Sequence, residues 1–364
     1  MMPLICCGRG GTHCKSLMQT STEHFSNHDI PANVLPHASS SRLGVPRCLV
    51  CSGKLEPWVN HLFDTRFGID GDYEARRCSD CGSGLVHPLP MASELKHLYE
   101  SYYNFGGREK KLYGRVRKWF FRSGAHRLWA AIDGDICFYT RAGSGRLLDL
   151  GCNEGRGLRI YSDNGYEVEG LELNEEAAAV AREAGFAVHT DLLETFYPSA
   201  LFDVVVLSNV LEHSLDPIQM LRDVRRVLRP GGQVWISCPN SRSWFRSLFG
   251  RYWINWHAPF HIVHFSRGTL AKVLREAGFT GIELREVTPS LWVASSIIAR
   301  LFASKGKPTR QLRNPFLLFG LMLVARSVLC PALYLCNRRG RGDCLVVSAT
   351  SEPLFGTTTE LSAN

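Results

Sequence analysis

No run near the first residue is long enough for the apolar segment of a signal peptide. PLICC, residues 3–7, gives way at once to glycines and polar residues, so export through such a leader is not expected. Internal repeats are missing too. Charge is sparse and nearly balanced, at 21% of the 364 residues with a formal net charge of +8. Against 45% hydrophobic residues, that excludes wholesale disorder. It leaves a modest attraction toward an anionic partner without choosing among nucleic acid, anionic lipid and phosphorylated substrate. Cysteine is plentiful, with thirteen residues, yet a secreted disulfide framework is missing. Four of them form two C-x-x-C pairs and the rest scatter. The expected setting is the reducing cytoplasm.

The chain divides by composition. Residues 1–41, rich in Ser, His, Gly and Asn, are expected to be a disordered leader. Residues 42–90 form a unit bracketed by the cysteine pairs. Residues 91–140 form a connector of helical pattern with basic and aromatic residues, including REKKLYGRVRKWFFR at 108–122. From 141 to 350 strands and helices alternate, with an apolar insertion at about 290–342, before a tail at 351–364. RLLDL, YEVEGLE, FAVHT, LFDVVVLS, QVWISCPN and TGIELREV read as six strands. DPIQMLRDVRRVL reads as a helix opened by an Asp cap and a Pro, and the turn RPGG is expected after it. Such alternation predicts an α/β fold, a doubly wound and mostly parallel sheet.

The first of these strands runs into DLGCNEG, Asp149 to Gly155. Glycines at a strand-to-helix turn let a ligand approach the backbone at the carboxyl edge of a sheet. Glu172 ends the second strand, where a carboxylate can accept both hydroxyls of a ribose. A dinucleotide fold wants glycine at the position held here by Asn153, so that a pyrophosphate can touch the backbone. S-adenosylmethionine has no pyrophosphate and tolerates a side chain there.

With LLDLGCNEG, GLELN, HTDLLE, FDVVVLSNVLEHSLDP and LRPGGQVWISCPN in this order, the chain resembles the class I S-adenosylmethionine-dependent methyltransferases over roughly residues 145–288. The resemblance implies a Rossmann-like seven-stranded sheet whose last strand, antiparallel, fits DCLVVSA at 343–349. It implies that Asp149, Gly151, Asn153 and Gly155 line the cofactor and that Glu172 holds its ribose. Asp191 would reach the adenine amino group and Asn209 would lie beside the sulfonium.

Cys48, Cys51, Cys78 and Cys81 offer four thiolates at a spacing suited to tetrahedral zinc, with Gly82 favouring a tight knuckle. A closed four-cysteine site is structural. RRCSDCGSGLVHPLP followed by SELKHLYESYY resembles the small amino-terminal zinc ribbon carried by a subset of these methyltransferases. Some of those act on nucleotide-deoxysugars or surface polysaccharides. The basic run at 108–122 would also suit phosphates of RNA, although no element that reads nucleic-acid sequence accompanies it.

PFLLFGLMLVARSVLCPALYLC, 315–336, is the most apolar stretch, flanked by Lys305, Lys307, Arg310 and Arg313 and by Arg338, Arg339 and Arg341. Arg326 inside it would cost roughly 2.5–3.5 kcal/mol at the centre of a bilayer, and the following strand must rejoin the sheet. A buried lid or a shallow hairpin at the membrane surface is expected rather than a span.

HAPFHIVHFS, 257–266, follows the fifth strand at the edge where an acceptor must lie. Metal binding by its three histidines is disfavoured because Pro259 interrupts the run and no carboxylate is nearby. Packed structural histidines and proton transfer stay open, with His261 the candidate base and His213 the next. His261 is spaced from Phe265 and Ser266 as in the catalytic loop of deoxysugar C-methyltransferases, but that loop's tyrosine and first histidine are missing. The resemblance thus points to a methyltransferase acting on a sugar or lipid-linked glycan hydroxyl at the cytoplasmic membrane face. An RNA methyltransferase using the zinc module and a quinone or isoprenoid methyltransferase are the alternatives.

Overall fold

The computed structural model describes residues 47–102, 120 and 123–352. The leader at 1–41, the basic run at 108–122 apart from Phe120, and the tail past residue 352 lie outside the described residues.

Two sheets organise the chain. The smaller is antiparallel throughout and contains β1 (Leu55–Leu62), β2 (Tyr73–Cys78), β3 (Gly84–His87) and, from much later in the chain, β9 (Val263–His264), in that order. The larger runs β10-β11-β8-β7-β4-β5-β6, with β4 (Arg146–Leu150), β5 (Glu167–Leu171), β6 (Ala187–His189), β7 (Phe202–Ser208), β8 (Leu228–Pro239), β10 (Phe279–Val287) and β11 (Cys344–Ser351). Strands β4 to β8 pair in parallel, and β11 is antiparallel to both neighbours. This is the class I methyltransferase topology. The chain steps outward from β4 through β5 to β6, then returns to β7 on the other side of β4. A ligand crevice opens at that reversal, at the carboxyl edge.

The local signals explain the elements. RLLDL is buried from Leu147 to Leu150, as a central strand covered on both faces requires. Helix Pro217–Val227 starts where Asp216 accepts from the Gln219 N–H at 2.9 Å, with proline in its first turn. Helix Arg267–Glu276 starts on a capping box in which Thr269 stands where Glu or Gln is usual. One expectation is corrected. RPGG is not a turn outside the sheet, because β8 already begins at Leu228, which pairs with Phe202 before the register shifts. HAPFHIVHFS contains a short strand. Val263 and His264 form β9, and the Val86 N–H donates to the Ile262 carbonyl at 3.0 Å. The cysteine-bearing module is thereby sewn onto the histidine stretch.

Helices Ser290–Phe302, Pro315–Val328 and Cys330–Arg338 fill the insertion before β11. Among the described residues no single helix is long and apolar enough to cross a membrane. The last two bend by 72° at their junction.

Candidate active site

The end of β4 and the loop after it make one wall of the crevice. The Gly151 N–H donates to the Leu171 carbonyl at 2.7 Å, locking the loop to the neighbouring strand end. Gly155 sits at φ 76° at the helix start, where a Cβ would stand 2.9 Å from that of Ala181. Asn153 also has positive φ, at 50°, a conformation that asparagine tolerates better than most side chains. Its Oδ1 accepts from the Glu154 N–H at 2.7 Å and its own N–H donates to Glu172 Oε2 at 2.9 Å. Glu172 Oε1 accepts from the Asn174 N–H at 2.9 Å. Each carboxylate oxygen is thus aimed by a backbone N–H and keeps acceptor capacity for a ribose hydroxyl.

Asp149, buried at the end of β4, is pushed up to about 8 by desolvation and then by the charge of Glu172, so it keeps its proton near neutrality. Gly157 makes room for it, since a Cβ there would come within 2.7 Å of Asp149 Oδ2. That close approach has no signature in the sequence beyond the glycine itself. Asp191 is exposed just past β6. Asn209, at φ 56° just past β7, donates its N–H to the Ser237 carbonyl at 2.9 Å. Asp149, Gly151, Glu172, Asp191 and Asn209 therefore stand at the carboxyl ends of four strands of one sheet.

The histidines gather beside the end of β7. His261 is only 5% exposed, and its Nδ1 donates to the Asn255 carbonyl at 2.8 Å. The lone pair is then on Nε2, which faces Glu212 Oε1 at 3.9 Å. Glu212 corrects the expectation that no carboxylate lies near these histidines. It is buried, and neither of its oxygens has a hydrogen-bond partner among the described residues. Burial pushes it up to about 8. Its signal was present in NVLEH, where Glu212 precedes His213. The His213 ring is centred 4.7 Å from that of His261, with Nδ1 2.7 Å from the Tyr99 hydroxyl and 3.0 Å from the Phe260 carbonyl oxygen. Burial pushes His213 down to about 4 and His261 well below the usual imidazole value. Glu212, His213 and His261 offer ligand atoms within 4.8 Å of one another, a set that a divalent cation could use. His257 and His264 are buried behind them, with rings centred 4.8 and 6.5 Å from that of His261.

Cys48, Cys51, Cys78 and Cys81 converge with all four sulfurs within 4.8 Å. The Cys48–Cys81 and Cys51–Cys78 sulfurs are 3.6 and 3.4 Å apart. Burial raises Cys51 to about 12. For Cys78 burial also pushes upward, but the N–H groups of Cys81 and Asp80 outweigh it and bring the thiol to about 7. The set fits a tetrahedral ion, and these four side chains would hold it.

The crevice and its strand-end residues define an α/β protein with the class I methyltransferase architecture. A family model described as a methyltransferase domain matches residues 120–284. A protein described as a probable S-adenosylmethionine-dependent methyltransferase of Mycolicibacterium smegmatis is 35% identical over 136 residues, which are 36% of this chain and 51% of that one. The ubiquinone biosynthesis O-methyltransferase of Thiobacillus denitrificans is 31% identical over 157 residues, 39% of this chain and 68% of that one. A solved S-adenosylmethionine-dependent methyltransferase from Thermotoga maritima aligns with a TM-score of 0.44 at 16% identity, over 71% of this chain and 100% of that one. The chain thus spans about half the length of the first of these relatives and two thirds of the second. It belongs to the S-adenosylmethionine-dependent methyltransferases.

Proposed function

We propose that the chain transfers the methyl group of S-adenosylmethionine to a hydroxyl of a sugar or lipid-linked glycan at the cytoplasmic face of a membrane. S-adenosylmethionine supplies an activated methyl group on a sulfonium. The displacement breaks the carbon–sulfur bond, forms a carbon–oxygen bond and releases the hydroxyl proton. Glu172 and the loop from Gly151 to Gly155 hold and orient the cofactor, with Asp191 and Asn209 at its two ends. Orientation of this kind supplies much of the acceleration in a bimolecular displacement. Proton transfer belongs to the cluster of His261, Glu212 and His213. His261 is the base: its Nε2 takes up the hydroxyl proton, and Glu212 lies 3.9 Å from that nitrogen. The four cysteines would hold a structural zinc ion, which would fix β2 and β3 beside β9 and the histidines.

The acceptor half of this reading is carried by the outward side of the insertion. On helix Pro315–Val328 the solvent face is apolar, with Phe316 71%, Phe319 55% and Val328 68% exposed. An ordinary surface helix carries polar residues there. Tyr334 and Leu335 continue the patch beyond the bend, and basic residues flank it on both sides. Such a surface suits shallow insertion between anionic headgroups. A second reading, methylation of a quinone precursor, is favoured by the ubiquinone-biosynthesis role for which the Thiobacillus denitrificans relative is named. Incubating the protein with labelled S-adenosylmethionine and fractionated acceptors separates the two. Label in saccharide-bearing lipid or nucleotide sugar supports the first reading. Label confined to quinone precursors supports the second, and label in RNA removes both.

A further inference from the structure

Away from the cofactor crevice, four arginines converge on a recess of about 130 Å³ where the small sheet meets the large one. It is lined by Trp58, Arg77, Ser241, Arg242, Arg246 and Arg341. Trp58 and Arg77 come from β1 and β2. Ser241 and Arg242 lie just past the end of β8, Arg246 is on the short helix Trp244–Phe249, and Arg341 precedes β11. The Arg246 and Arg77 guanidinium carbons stand 4.7 and 5.8 Å from the centre of the Trp58 ring. The tryptophan packs the cations without neutralising them.

Among the described residues none of the four arginines has a carboxylate within ion-pair distance. Glu56, directly across the ladder from Arg77, reaches Lys54 at 3.6 Å instead. Arg246 is partly buried, and its Nε has no hydrogen-bond partner among the described residues. Burial lowers its pKa, and the charges of Arg77 and Arg341 lower it further. Four guanidinium groups line the recess, with Arg77 and Arg341 acting on Arg246, and their forked donors match the oxygens of a multiply charged anion such as phosphate.

The recess also has the right address. Cys344 of β11 pairs with Pro239 at the carboxyl end of β8, so both arginine-bearing turns stand at the edge where the crevice opens. β8 lies next to β7 and β7 next to β4. At a strand spacing of about 4.8 Å, that puts the two arginine-bearing turns roughly 10–15 Å along the edge from the cofactor loop. The histidine stretch adjoins it, since the Trp256 ring is centred 5.3 Å from that of Trp58 and 4.8 Å from that of His264.

We propose that this arginine recess binds the phosphate or diphosphate group of the methyl acceptor, which is therefore a phosphorylated compound held with its reacting hydroxyl toward the cofactor. The inference rests on the reading of this edge as the acceptor side, and it makes the cysteine-bearing sheet part of substrate recognition.

Calorimetric titration with inorganic pyrophosphate, in the presence of S-adenosylhomocysteine, tests it. The wild-type protein should show one saturable site. Arg77→Gln combined with Arg341→Gln, both at exposed positions, should weaken it at least tenfold while S-adenosylhomocysteine binds as before. Arg242→Gln alone should weaken it severalfold. Absence of a saturable site, or equal affinity in the double variant, overturns the proposal. So does displacement of pyrophosphate by a short RNA at lower concentration with steep salt dependence, which would give the recess to nucleic acid. Tighter binding of geranyl diphosphate than of pyrophosphate supports the site and assigns it to lipid-borne acceptors. Tighter binding of uridine diphosphate supports it and assigns nucleotide-linked ones. Pyrophosphate binding that survives alongside a failed acceptor screen would remove the glycan reading and leave the recess standing.

Discussion

Arg326 and Asp133 lie 193 residues apart in the chain and form a largely buried ion pair, with Nε 2.9 Å and Nη2 2.8 Å from Asp133 Oδ1. Asp133 also accepts the Ser290 N–H at 3.0 Å. The one charge inside the apolar stretch 315–336 therefore faces the domain. It pins the helix and leaves the opposite, apolar side outward. Replacing Arg326 with Ala strands the buried carboxylate and should cost about 3–5 kcal/mol in denaturant unfolding.

The outward side should carry membrane binding. Wild-type protein should sediment with vesicles containing anionic lipid and less well with neutral ones. Phe316→Glu together with Phe319→Glu should reduce that binding at least tenfold, since burying each phenyl ring is worth roughly 1.5–3 kcal/mol. Equal sedimentation of variant and wild type would make the helix pair a lid with no lipid contact.

Much of the large sheet could be read in advance, because its order follows from local signals. Buried runs such as RLLDL alternate with capped helices, and DCLVVSA foretold β11 to within a residue or two. The site was legible only where it is local. Gly151 and Asn153 are bonded to Leu171 and Glu172 at the adjacent strand end, and Gly155 closes the same loop onto Cys152. Glu212 escaped because its partner His261 is 49 positions further on, and no spacing rule connects a turn after β7 to a loop after β8. β9 escaped for the same reason, being two residues whose pairing partner lies nearly 180 positions earlier. The arginine recess draws on four separate segments and left no pattern in any of them.

Glu212 should contribute to the pH dependence of stability, alongside the similarly raised Asp149. The folded protein holds its proton up to about pH 8, whereas an unfolded carboxyl releases it near 4.5. Its stabilising contribution is full below pH 4.5 and is lost as pH rises through 8. Thermal melts should find Glu212→Gln close to wild type at pH 5. At pH 9 the variant should be more stable by roughly 2–4 kcal/mol. A difference that does not grow with pH would show that Glu212 is ionised throughout.

The cysteine cluster should bind one zinc ion per chain in protein purified without chelator. Cys78→Ser should abolish binding and loosen the seam between β3 and β9. Methyl transfer should then fall while S-adenosylmethionine still binds. Metal analysis finding no zinc would contradict the assignment.

His261→Ala should lower turnover by roughly 10²–10⁴-fold, the usual contribution of a positioned base, with cofactor affinity untouched. His213→Ala shows which ring faces the acceptor. Near-normal turnover in the His261 variant and a large loss in the His213 variant would move the base to His213.

The most direct measurement is calorimetric titration of S-adenosylmethionine into wild-type protein and Glu172→Ala. The account predicts one molecule bound per chain, and an affinity weakened in the variant by roughly 1.5–3 kcal/mol, the worth of hydrogen bonds to a charged acceptor. No binding to the wild type, or equal affinity in the two proteins, would contradict it.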